Sequence, residues 1–277
     1  MAQAKRACRP EPLAQSPTEQ RAVVRGVLTD IDDTLTRDGA IEPPALDALA
    51  RLRAAGISVV AVTGRPKGWS EPFARPPPQG WPIDAIVAEN GALALYAERG
   101  ALRTEYVQDA STRARNAARL REVARRILAE VPGASLARDS AGRVTDIAVD
   151  HAEFAHLDAR AVERVVAIMR AEGMTATVSS IHVNGWFGEH GKLSGARWIV
   201  RRLFGRELDD ELPRWVYVGD STNDQEMFGH FPFSVGVANL MRFAAELTTW
   251  PAYLTQRERG AGFAEVADAL LAARAGP

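Results

Sequence analysis

Short apolar runs, most of them ending in Asp, Thr or Gly, separated by stretches of helical periodicity, constrain this chain more than any other feature. Residues 23–30 form a run rich in β-branched side chains that stops at Asp30. Residues 57–63, 84–89, 215–219, 233–237 and 252–255 repeat the pattern. Apolar runs of this length without polar alternation suit strands buried on both faces. Between the first two, Asp38-Gly39 marks a turn, Pro43 and Pro44 suit a first helical turn, and Leu46, Leu49 and Leu52 follow at helical spacing to Gly56. Strands alternating with helices predict an α/β fold, a doubly wound (Rossmann-like) core around a parallel sheet.

The middle of the chain breaks this rhythm. Residues 93–96, 103–107, 143–150 and 175–187 have strand character, with amphipathic helices near 112–130 and 158–172. That is an α+β pattern set inside an α/β pattern. It predicts a cap domain over 92–190, a core built from 22–91 and 191–277, and a flexible leader over 1–21. Residues 66–82 carry six prolines, Pro66, Pro72, Pro76, Pro77, Pro78 and Pro82, and cannot be a regular helix throughout. Such a loop could shape substrate access or mediate self-association. Trp69, Trp81 and Trp186 read as packing or rim residues.

Composition narrows the function classes. Of 277 residues, 46% are hydrophobic and 25% charged, enough for a packed core. The formal net charge of −1 argues against a nucleic-acid partner. The arginines of 113–126 share a helix with Leu120, Val123, Ile127 and Leu128 and read as its solvated face. The single cysteine, Cys8, permits no internal disulfide and reads as a tail residue. No apolar run approaches the ~20 residues that span a bilayer, and no apolar segment follows Lys5, Arg6 and Arg9 as in a secretory signal. A soluble cytoplasmic protein with no membrane partner is expected.

The chemistry sits at the strand ends. Asp30, Asp32, Asp33 and Thr34 follow the first strand, and Thr63, Gly64 and Arg65 the second. Asp220, Ser221, Thr222, Asn223 and Asp224 follow the strand at 215–219, and Lys192 precedes an amphipathic helix. In an open parallel sheet, ligands bind outside the carboxyl ends of the strands, so these groups can converge. Two acidic clusters without histidine or cysteine form a hard oxygen cage that suits Mg²⁺ better than zinc. Lys192 would relieve their repulsion and neutralise a phosphate, with Thr63 and backbone N–H groups on the remaining oxygens. One carboxylate can attack phosphorus, and a second can protonate the leaving group and then activate water.

Asp30-Ile31-Asp32-Asp33-Thr34 resembles the first motif of the haloacid dehalogenase (HAD)-like phosphatases, and Val62-Thr63-Gly64-Arg65 their second. Lys192 resembles the third, and Gly219-Asp220-Ser221-Thr222-Asn223-Asp224 the fourth. Glu89-Asn90-Gly91-Ala92 is similar to a signature of the Cof-like branch (C2B cap), as are residues 252–255 and 262–264. The resemblance covers nearly all of the chain after residue 22. It implies Asp30 as nucleophile and metal ligand, and Asp32 as general acid/base that also binds metal through its backbone carbonyl. Thr63, Gly64, Arg65 and Lys192 would lie at the phosphate or substrate, although Arg65 could equally brace its loop. Asp220 would hold Mg²⁺, with Asn223 and Asp224 supporting the phosphate, Lys192 or the metal and its water. Asp33 stands where glycine is common in the family. Asp32, absent from the dehalogenases, favours phosphate transfer.

The expected activity is hydrolysis of a small phosphorylated metabolite, a sugar phosphate in the first place. A phosphomannomutase-like mutase and a non-catalytic sugar-phosphate sensor are the rivals. Ser180, His182 and Asn184 alternate along the last cap strand and could read the substrate or line an exposed face. Asp146, Asp150, His151 and Glu153 read as solvated. The natural substrate, the oligomeric state and the resting position of the cap are not legible in the sequence.

Overall fold

A computed structural model describes residues 9–275. Among the described residues, nine strands make the central sheet. From one edge they run Glu11–Pro12, Tyr253–Leu254, Phe233–Gly236, Trp215–Gly219, Gly26–Thr29, Ser58–Val62 and Ala85–Ala88, all parallel. The antiparallel hairpin Leu93–Glu98 and Ala101–Tyr106 completes the other edge. Alternate side chains enter opposite layers, as the pleat requires. Val27, Val59, Ala61, Val216 and Val218 pack on the side of helices Pro43–Ala54 and Arg259–Ala275. Leu28, Val60, Val62, Trp215 and Tyr217 pack on the side of helices Lys192–Phe204 and Gln225–His230. Because both faces are covered, the strands are apolar throughout, and that is the pattern legible in the sequence.

Two of the expected boundaries move. Residues 93–106 belong to the core sheet, not to the insert. Glu89 (φ 48°), Asn90 (φ 55°) and Gly91 (φ 98°) turn the chain back through left-handed conformations, so Leu93 pairs with Ala88 instead of leaving the sheet. The region expected to be a flexible leader is structured from residue 11 onwards. Glu11–Pro12 adds an edge strand, where a proline without an N–H is tolerated, and Leu13 is buried in the core. Helix Thr18–Ala22 follows, and the Tyr253 hydroxyl donates to Gln20 (3.0 Å). Cys8, Lys5 and Arg6 lie outside the described residues.

The insert is a four-stranded antiparallel sheet, ordered Thr175–Val178, His182–Trp186, Asp146–Asp150, Ser135–Leu136. Helices Ala110–Glu130 and Ala159–Ala171 cover one face, each started by an aspartate whose side chain accepts an amide N–H, Asp109 from Thr112 and Asp158 from Ala161. The expected single strand over 175–187 is two strands with a bend at Ser179–Ile181, so Ser180 lies off the strand that carries His182 and Asn184. Ile147, Val149 and Val183 face the helices. Asp146, Asp150, His182 and Asn184 occupy the alternate positions and are buried, not solvated. The cap presents a polar sheet face to the core, and most of its polar groups pair within the cap, with Asn90 and Gly64 O of the core at 3.5 Å from Asp146 and Asn184.

The proline-rich loop folds around the ring cluster Trp69, Phe73 and Trp81, with Phe73 stacked on Trp81 at 4.5 Å. Its short helix, Lys67–Ser70, packs against Arg138–Gly142 of the cap.

Candidate functional site

Three aspartates meet at the carboxyl ends of the two central strands. Asp30, Asp220 and Asp224 each place an oxygen within 4.8 Å of the others, and all three are buried. Asp30 is fixed by its backbone N–H, which donates to Val218 O (2.8 Å). The chain then winds around Ile31 O, which accepts from the amides of Thr34, Leu35 and Thr36. That tight loop puts Asp33 at φ 54°, a left-handed conformation that glycine adopts freely and that aspartate is among the side chains to tolerate. Asp33 pairs with Arg259 at 2.8 Å.

Lys192, at the start of its helix and 4% exposed, donates to Asp30 (2.7 Å), Asp224 (2.7 Å) and Asn223 (3.1 Å), which accounts for all three ammonium hydrogens. Burial alone would discharge this lysine, but Asp224 and Asp30 outweigh it and hold its pKa above the ordinary value. Burial pushes Asp30 the other way, to about 7, against the pull of Lys192 and with the help of Asp224 and Asp32. Asp220 rises well above the carboxylate range for the same first reason, with Asp30 and Asp224 adding to it. Three close carboxylates against one ammonium leave uncompensated negative charge, and every donor is an oxygen. The residues therefore fit a hard divalent cation such as Mg²⁺.

Asp224 joins the cluster, but its oxygens are occupied. Oδ2 accepts from the amides of Asp220 and Ser221, and Oδ1 accepts from Lys192 and the Tyr217 hydroxyl. It braces the loop and the lysine. Asn223 Oδ1 likewise accepts from Lys192 and Ser221. Asp220 is contacted more sparingly, by Asn239 Nδ2 (3.2 Å) and Thr34 Oγ1 (3.5 Å).

Thr63 is fully buried, and its hydroxyl caps the turn by accepting from Arg65 N (3.0 Å). Gly64 O accepts from Arg143 of the cap (2.9 Å). Arg65, 4% exposed, spans core and cap. Its Nε meets both oxygens of Asp32 (2.9 and 3.0 Å), one terminal nitrogen meets Glu153 (2.8 Å) and the other Asp139 (3.2 Å). Its guanidinium lies 5.0 Å from the Trp69 ring, so the proline-rich loop supports it.

The cap residues expected at the substrate divide. Ser180 lines a cavity of about 430 Å³ together with Asp32, Arg65, Glu153, Phe154 and Asp220. His182 and Asn184 point at protein partners instead: His182 to Glu153 (2.9 Å) and Asn184 to Asp146 (3.1 Å). Asp146 is held by Arg143 (2.8 Å), and Glu89 accepts from the amides of Lys67, Val144 and Thr145. Burial and the nearby Asp146 push Glu89 up to about 7. Glu153, Asp139, Arg143, Asn239 and Arg259 are absent from the expected site. Asn239 had a legible signal, because it follows the strand Phe233–Gly236 at the same sheet edge. The cap charges had none, because cap strands carry acids on either face.

The model of the haloacid dehalogenase-like hydrolase family matches residues 27–118. No protein of curated function matches the sequence. Among solved structures, protein 0175 of Thermoplasma acidophilum is 16% identical with a TM-score of 0.65, covering 90% of this chain and 98% of its own. A HAD/COF-like hydrolase from Plasmodium vivax is similar at 16% identity and TM-score 0.65, covering 92% and 99%. The sucrose-phosphatase of Synechocystis, solved with sucrose and phosphate, is similar at 15% identity and TM-score 0.58, covering 88% and 97%. These likenesses are of fold. The family model matches over the strands that carry the first two motifs, the fold is shared with these structures, and the four motifs gather at one sheet edge.

Proposed function

We propose that the protein is a phosphatase acting on small phosphate monoesters, sugar phosphates foremost, through a covalent phosphoryl-Asp30. The observation that carries this reading is the state of Asp30. Lys192 holds Oδ1, while no hydrogen bond engages Oδ2 among the described residues, and Asp32 lies two residues on at the cavity. The sugar-phosphate class is supported by the fold shared with the sucrose-phosphatase and by a cavity roofed by the cap.

In the first step a bond forms between Asp30 Oδ2 and phosphorus as the ester P–O bond breaks. Asp32 gives its proton to the leaving oxygen. In the second, water attacks phosphorus, Asp32 takes its proton, and the bond to Asp30 breaks to release phosphate. Lys192 and the amides of the strand-end loops meet the phosphoryl oxygens. Asp30, Asp220 and the backbone carbonyl of Asp32 would hold Mg²⁺, which supplies neutralisation of the phosphoryl charge when bound. The cap excludes water from the first step.

Phosphate release from a panel of phosphorylated metabolites, with Mg²⁺ or with EDTA, tests this. The native protein is expected to release phosphate only with the cation, and Asp30→Asn to lose on the order of 10⁴-fold or more in kcat. Interconversion of hexose phosphates without phosphate release would replace the hydrolase by a mutase. Release that survives Asp30→Asn would put the nucleophile elsewhere.

A further inference from the structure

The cap carries two carboxylates, Asp139 and Glu153, that contact no metal-cluster residue and yet are tied to the acid/base. The link is Arg65. Its guanidinium is shared by Asp32 of the core and by Asp139 and Glu153 of the cap, all at 2.8–3.2 Å. Glu153 is anchored in turn by His182, whose Nε2 lies 2.9 Å from Glu153 Oε2. Arg65 is 4% exposed and Glu153 18%, so these pairs sit where solvent screening is weak. Burial acts to raise Glu153, but His182 and Arg65 outweigh it and hold it at about 2, so it stays ionised.

Arg65 Nε reaches both oxygens of Asp32. A carboxyl group that hands a proton to a leaving oxygen, and later takes one from water, needs an oxygen turned to the substrate. A guanidinium held by Asp32 alone could swing with it and would give the carboxyl no fixed aim. The cap carboxylates hold the same cation from the other side, and they reach it only when the cap lies on the core.

From this geometry we infer that Glu153 is a positioning residue for the general acid/base: with the cap on the core it fixes Arg65, and Arg65 fixes the aim of the Asp32 carboxyl. Asp139 is the weaker partner, at 3.2 Å against 2.8 Å. The inference rests on the phosphatase reading above.

Two probes separate a role at the acid from a general one. The leaving group of p-nitrophenyl phosphate departs without a proton, whereas that of phenyl phosphate needs one. The full-length protein with Mg²⁺ is compared with Glu153→Gln, Arg65→Met and the double variant. Glu153→Gln is expected to lower kcat on phenyl phosphate by about tenfold more than on p-nitrophenyl phosphate. In the Arg65→Met background it is expected to leave the ratio of the two rates where Arg65→Met set it. Equal losses on both esters overturn the inference. A selective loss that persists without Arg65 also overturns it, because Glu153 would then act on the substrate directly. If Glu153→Gln fails to fold, Glu153→Asp carries the same expectation, because the shorter side chain loses its reach to Arg65. A native enzyme that hydrolyses neither ester would sink the phosphatase reading itself, an outcome distinct from the other two.

Discussion

At the scale of single residues, burial sets the chemistry. Lys192 and the aspartates around it could not stay charged in an apolar interior one at a time. Each is held by the others, and the excess negative charge prepares the place for a cation. His190 shows the opposite case. It is 7% exposed, stacks on Trp186 at 5.7 Å, and its Nε2 has no hydrogen-bond partner. Burial lowers its pKa from 6.5 to about 4. The folded state then binds this proton less readily than the unfolded one, so stability is lost as pH falls from about 6.5 towards 4. The fall from 6.5 to about 4 corresponds to up to about 3 kcal/mol. Urea midpoints across that range are expected to decline in the native protein and to decline less in His190→Gln. Equal slopes would mean that the ring is not buried neutral.

At the scale of elements, the turn at Glu89–Gly91 decides where the core ends and where the cap can be inserted. Gly91 sits at φ 98°, and a Cβ there would stand 2.1 Å from Gly191 O. Gly191 in turn opens the helix that carries Lys192. Gly91→Ala is therefore expected to cost about 2 kcal/mol or more in unfolding free energy, and to weaken activity beyond that by shifting Lys192. Denaturant unfolding and kcat, measured together, check this. The pattern 84–89 announced the strand, but nothing in the following apolar residues told a return into the same sheet from a departure into a new domain. Period and polarity are the same in both, and only the left-handed turn distinguishes them. Likewise Glu11–Pro12 carries too little pattern to announce an edge strand.

At the scale of the whole molecule, the cap is held on the core by buried charge. Arg143 joins the cap acids Asp146 and Asp139 to the backbone of Gly64 in the second motif. Removing it leaves Asp146 buried without its partner, a loss of about 3 to 5 kcal/mol. Arg143→Met is expected to loosen the cap while the nine-stranded core remains, raising KM and exposing the linker near residues 107–109 to protease. Unchanged KM with unchanged cleavage would show that the cap does not depend on this network.

Much of the site was legible because its parts are local. A strand that ends in Asp30 and Asp32, or in Thr63 and Gly64, states both its burial and its chemistry within a few residues. Parallel strands then oblige their carboxyl ends to meet. The cap side followed a different logic. Asp146, Asp150 and Glu153 read as ordinary solvated acids, and His182 and Asn184 as residues facing either a substrate or solvent. Asp146 and Asp150 find partners within five residues, in Arg143 and the amides of 153–155, whereas Glu153, His182 and Asn184 are paired by residues far away along the chain. The sequence by itself determined the α/β core, the inserted α+β unit and the sheet edge where the motif residues gather, because these follow from side-chain period and from chain direction. Only the tertiary structure decided which face of the cap meets that edge and which charges it pairs, because a buried ion pair is defined by the geometry of two surfaces and leaves no periodic trace in either.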